Sequence, residues 1–183
     1  WESRELRTNN YVFRLCGKTD HAKEFYLRVQ HARGTFLPIS IGTLKGFAER
    51  FHKEDFLMGI YFGFMILMIL YNLFIYFSVK DLSYMFYVIY VFFMAFMNAS
   101  LSGFAHEYLW GAHAWVGQYE DVISSLLGIS GLLFAMHFLH TRKNAPFIHY
   151  CFIALMISFS LGILIVLSGN FMLGTIYVEF NAL

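Results

Sequence analysis

The chain has 183 residues, 58% of them hydrophobic and 14% charged, with a formal net charge of +1. An average soluble domain carries about 25% charged residues, and here the charges crowd into residues 1–55 and leave the rest nearly bare. The composition excludes a soluble globular fold, because four long apolar runs cannot all be buried in so short a chain, and the lack of any basic block excludes a nucleic-acid partner.

Residues 1–14 are polar and contain no apolar core, so they do not form a signal peptide. With a start at Trp1 and an end (Val178 to Leu183) inside a new apolar run, both termini read as cuts. Cys16 falls in the polar part and Cys151 in an apolar run, so no disulfide is expected between them.

Residues 10–42 read as extended chain. In 24–30 (EFYLRVQ), Phe25, Leu27 and Val29 alternate with Tyr26, Arg28 and Gln30, the period of a half-buried strand. Residues 11–15 (YVFRL) alternate more weakly. After a turn at 31–34, residues 35–41 (TFLPISI) resume the pattern, with Pro38 marking an edge. Three strands do not close a core, so residues 1–42 are expected to be the last strands of a larger β-domain. Residues 43–55 (TLKGFAERFHKED) read as a short polar helix or linker.

Residues 56–79 form a charge-free run of 24, about 36 Å as a helix and enough to cross a hydrocarbon core of about 30 Å. Lys80 and Asp81 interrupt it, and 82–105 is a second charge-free run of 24. So short a connection makes the two spans an antiparallel hairpin. Residues 106–121 form a polar-aromatic loop whose Tyr and Trp suit a bilayer interface. A third, more polar span covers 122–139, a fourth 147–168, and a fifth apolar segment starts at 171. The expected fold is a membrane all-α bundle preceded by β-strands, and its first partner is membrane lipid.

Orientation follows from Lys and Arg in the loops. Lys80 lies in the first loop and Arg142 and Lys143 in the third, which by themselves place the N-terminal segment outside. Counting Lys45, Arg50 and Lys53 makes three on each side, and the exemption of large extramembrane domains from the rule decides for outside.

Several motifs carry a choice between chemistry and packing. Gly128-Ile129-Ser130-Gly131 matches the G-x-S-G of intramembrane serine proteases, with His149 as the base that chemistry would need. Small residues at such spacing more often serve helix contacts. His137 and His140 share a face, but two ligands do not make a metal site, so no metal, cofactor or catalytic set is expected. Asn72 and Asn98 place amides inside spans, where interhelical hydrogen bonds are expected to satisfy them. Gly59-x-x-x-Gly63 fits both packing against a neighbouring helix of the same chain, the favoured expectation, and a dimer seam. The absence of Asp, Glu, Lys and Arg within spans one to four counts against an ion-coupled carrier.

One ordered series links these residues. Gly59-x-Tyr61-x-Gly63 is followed by Leu70-Tyr71-Asn72, then Lys80-Asp81-x-x-Tyr84 with Tyr87, then Gly103 and Tyr108-Leu109-Trp110. The series resembles the membrane region of bacterial seven-transmembrane receptors with diverse intracellular signalling modules, and residues 25–30 and 37–39 look like the end of the jelly-roll-like sensor domain of that family. The resemblance implies an extracellular β-domain that senses a small, carbohydrate-like molecule, seven helices, a homodimer in the bacterial inner membrane, and a cytoplasmic output domain that carries any enzymatic activity. The signalling candidates are then Gly59, Tyr61, Gly63, Tyr71, Asn72, Asp81, Tyr84, Asn98, Gly103 and Trp110. A transport or assembly subunit is the competing class, and an intramembrane hydrolase a weaker one.

Overall fold

The structure, a computed structural model, describes residues 12, 13, 26, 39–105, 108 and 119–182, with Glu179 and Ala182 described in backbone only. The described residues contain six helices: α1 Leu44–Val79, α2 Leu82–Leu101, α3 Glu120–Phe138, α4 Thr141–Asn144, α5 Pro146–Leu167 and α6 Phe171–Ala182. Four of them (α1, α2, α3 and α5) are long and apolar enough to cross a membrane. There is no strand among the described residues, and most of the segment expected to be β-structure lies outside them.

Local chemistry sets each boundary. Thr43 caps α1, its Oγ1 accepting the Gly46 N–H at 3.2 Å. The polar stretch after it does not stop at the membrane. Lys45–Glu49 and Arg50–Glu54 pair at i,i+4 on its surface, and the helix runs on without a break for 36 residues. Lys80 ends it in the left-handed region at φ 58°. Asp81 then caps α2, its Oδ1 accepting the Ser83 N–H at 2.8 Å, so the hairpin turns on two residues.

The second span was expected to reach residue 105, but α2 ends at Leu101. Gly103 explains the stop: its φ of 78° is open to glycine and costly for a residue with a Cβ. Glu120 and Asp121 occupy the first turn of α3, where a negative charge meets the positive end of the helix dipole. His140 (φ 49°) turns the chain into α4, and Pro146 starts α5 with a fixed φ and no wasted N–H.

The helices pack in sequence as an open arc: α1 on α2, α2 on α3, α3 on α5, α5 on α6, with α6 folding back onto α3 and α4 bridging α3 and α5. Burial is inverted relative to a soluble domain. Ser83, Ser100, Asp121, Ser125, Ser130, Thr141 and Thr175 are buried, whereas Phe64, Leu70, Phe74 and Phe77 of α1 are exposed. Lipid is the solvent for those large side chains, and the interior is where small and polar groups meet.

Small residues set how close the helices come. A Cβ on Gly128 would fall 2.8 Å from the ring of Phe159 on α5, and one on Gly174 would fall 2.5 Å from Val166 Cγ2. The G-x-S-G stretch is therefore a packing element of α3, with Gly128 against Phe159 of α5 and Gly131 against Tyr90 of α2. Gly59 and Gly63 are the opposite case. Among the described residues a Cβ on either would meet nothing within 4 Å, so of the two expectations the contact within the chain is not seen among them.

Candidate functional site

Two polar sites fasten α6 to the bundle. At the start of α3, the buried Asp121 carboxylate accepts a hydrogen bond from Thr175 Oγ1 on α6 at 2.7 Å. The same hydroxyl lies 2.9 Å from the Phe171 carbonyl; it has one proton, and a carboxylate is the stronger acceptor. Ser125 Oγ donates to the Asp121 carbonyl at 2.8 Å, and the Tyr119 and Phe171 rings meet edge to face at 5.7 Å beside it.

The second site joins α5 to α6 about half-way along the spans. Ser158 Oγ lies 2.6 Å from Asn181 Oδ1 and 2.8 Å from Tyr177 Oη. An amide oxygen only accepts, so Ser158 spends its proton on Asn181 and Tyr177 must donate to Ser158. Asn181 Nδ2 donates to the Tyr177 carbonyl at 2.8 Å, which closes the loop. In hydrocarbon each of these groups would be costly alone, and here each has a partner.

At the opposite end of the bundle the α1–α2 turn and the α3–α4–α5 corner come together. The His137 ring lies 4.4 Å, centroid to centroid, from Phe86 of α2. Thr141 Oγ1 and His149 Nδ1 are 3.1 Å apart. Hydrogen bonds from the Ser83 backbone and side chain hold the Asp81 carboxyl below the usual carboxylate range, with His140 and His137 adding a smaller electrostatic pull in the same direction.

The α1–α2 contact is different in kind. It is apolar, flanked by an outward-facing groove lined by Phe62, Met65, Ile69, Phe92, Ala95 and Ala99. The expected interhelical bonds of the two spanning amides do not form. Asn72 Nδ2 donates to the Met68 carbonyl at 2.8 Å and Asn98 Nδ2 to the Met94 carbonyl at 2.9 Å. A helix offers an acceptor one turn back on the same strand of backbone, so neither amide needs the other helix. The hydroxyls of Tyr61 and Ser100 are buried and have no hydrogen-bond partner among the described residues.

The sequence candidates thus scatter. Asp81, Lys80 and Gly103 shape turns, Tyr84 follows the Asp81 cap on α2, Tyr71 is exposed on the lipid face of α1, and Trp110 lies outside the described residues. The protease pair does not assemble. Ser130 donates to the Leu127 carbonyl of its own helix at 2.9 Å, and His149 is engaged by Thr141. Among the described residues no group of three or more His, Cys, Asp or Glu side chains could hold a metal. The residues that do tie helices together (Asp121, Ser158, Thr175, Tyr177, Asn181) were not singled out. Asp121 reads from the sequence as the last residue of a loop. The usable signal was the i,i+4 spacing of Tyr177 and Asn181 within an apolar run, which puts both on one helix face, with Thr175 on the opposite side.

A family model described as 7TM diverse intracellular signalling matches residues 54–183. No curated protein and no solved structure matches the chain.

Proposed function

The chain belongs to the 7TM diverse intracellular signalling family, and from that premise we propose how it works as the multi-pass membrane part of a signalling receptor. A small extracellular molecule, carbohydrate-like in chemistry, binds a sensor domain ahead of α1. The bundle passes the change to a cytoplasmic output domain that follows the helices. In this reading the N-terminal segment faces the periplasm, the protein sits in a bacterial inner membrane, and it works as a homodimer. The helical segment itself performs no catalysis.

One observation carries the mechanism. Helix α1 is continuous from Leu44, well ahead of the apolar run, through the membrane to Val79, and its extended contact among the described residues is with α2. That contact is apolar, whereas α3, α5 and α6 are joined by hydrogen bonds. Apolar packing in lipid has no fixed register of donors and acceptors, so a helix held this way can shift at low cost while the hydrogen-bonded group stays fixed. Helix α1 is then the moving part and α3–α5–α6 the frame. A ligand moves such an equilibrium only by its differential affinity for the two arrangements, about 1–3 kcal/mol in typical couplings.

The test is an insertion of four residues between Lys45 and Gly46 in the full-length receptor, once as a helical segment and once as a flexible Gly/Ser segment, with output measured against ligand concentration. The flexible insert is expected to uncouple output from ligand, and the helical one to alter the basal level. A ligand response unchanged by both sinks the mechanism.

A further inference from the structure

At the α4 end of the bundle, two turns carry three fixed cations, Lys80, Arg142 and Lys143, against one carboxylate, Asp81. That carboxylate is already committed to the Ser83 N–H at the start of α2. Arg142 and Lys143 are exposed, and neither has an ion pair among the described residues. The Phe86–His137 ring contact draws the Lys80 turn toward this corner. On both sides of α4 the surface changes to bare hydrocarbon. Phe138 and Leu139 precede it with 62% and 52% exposure, and Phe147 and Tyr150 follow it with 79% and 71%.

We propose that the α4 corner holds one anionic phospholipid, its phosphate on Arg142 and Lys143 and its acyl chains against Phe138, Leu139, Phe147 and Tyr150. A phosphate matches the charge and the forked geometry of a guanidinium. A soluble anion would use the cations and leave four apolar side chains uncovered. A zwitterionic phospholipid would cover those side chains and offer a phosphate, but its own ammonium would sit beside Arg142 and Lys143 and cancel the charge that pairs with them. An anionic amphiphile satisfies both. The site rests on the helices crossing a bilayer and not on the receptor mechanism, since its assay needs no signalling output.

The experiment is native mass spectrometry of the full-length protein released from nanodiscs of phosphatidylcholine mixed with phosphatidylglycerol, with thermal unfolding in the same discs as a second reading. The wild type should retain phosphatidylglycerol in preference to phosphatidylcholine. R142Q and K143Q should each weaken that retention about fivefold, and each changes an exposed side chain, so each should fold. F147S/Y150S keeps the cations and should also lose lipid. Equal retention of the two lipids, or undiminished retention in R142Q/K143Q, overturns the proposal. Displacement of the lipid by inorganic phosphate assigns the corner to free anions instead and overturns it equally.

Discussion

At the scale of single residues, the Asp121–Thr175 bond is the most exposed to mutation. Replacing Thr175 by valine removes a donor to the buried Asp121 carboxylate, a loss of about 1–3 kcal/mol. The change D121N/T175V should cost less than the sum of its single changes, because it removes the charge along with its need for a donor. Thermal unfolding of the four species in detergent measures the difference, and additive losses would mean the two side chains are not coupled. Asp81 carries the pH dependence. Its carboxyl is lowered in the folded state, so it favours folding above the ordinary carboxylate range and loses that contribution as pH falls through the lowered value. Asparagine also caps helices. D81N should therefore fold at neutral pH and show a shallower fall in unfolding temperature on acidification; an acid limb identical to wild type would show that Asp81 is not its source. None of this was legible beforehand. The sequence displays Asp81 as half of a charged break; Ser83 is its near neighbour in the chain, and only three-dimensional proximity brings His137 and His140 to it.

At the scale of helices, the glycines divide into two classes that one sequence pattern cannot separate. Gly59 and Gly63 have the spacing associated with helix contacts, yet open space surrounds them. Gly128 lies against Phe159. G128A should push α3 from α5 and destabilise by about 1–3 kcal/mol, whereas G59A should be neutral or stabilise by about 0.5–1 kcal/mol through helix propensity. A chemical-denaturation series in mixed micelles ranks the two, and a G59A loss as large as that of G128A would show that a second surface covers Gly59. The spans themselves were readable, because an apolar run of about 20 residues has one stable form in hydrocarbon. The polar approach to the first span was harder. Residues 44–55 have no long apolar stretch, and nothing in their composition distinguishes a separate short helix from the start of a longer one. Their two i,i+4 ion pairs and the absence of proline between residues 44 and 79 are the local features that fit the longer helix.

At the scale of the whole molecule, the arrangement is an arc whose α1–α2 edge is apolar and whose α3–α5–α6 edge is hydrogen-bonded. The number of spans and their order came from hydropathy alone. The division of labour between the two edges did not, because it depends on which polar residues meet, and Asp121 and Thr175 are 54 positions apart. The same inversion that leaves phenylalanines outside and serines inside leaves stability dependent on a few polar contacts, so substitutions at Ser158 or Asn181 should matter more than the loss of any one lipid-facing ring.

The unbroken length of α1 also imposes a phase. A helix advances about 100° per residue, so inserting residues near Lys45 both lengthens the rod and turns whatever it carries. Four residues turn it about 40° past a full circle, and seven return it to within about 20° of its starting azimuth while adding about 10 Å. Signalling by rotation would therefore recover in part at four, more fully at seven, and fade at two and at five. Signalling by axial displacement would decline steadily with each added residue. The shape of that curve, measured over one to eight insertions, reads out which way the helix moves.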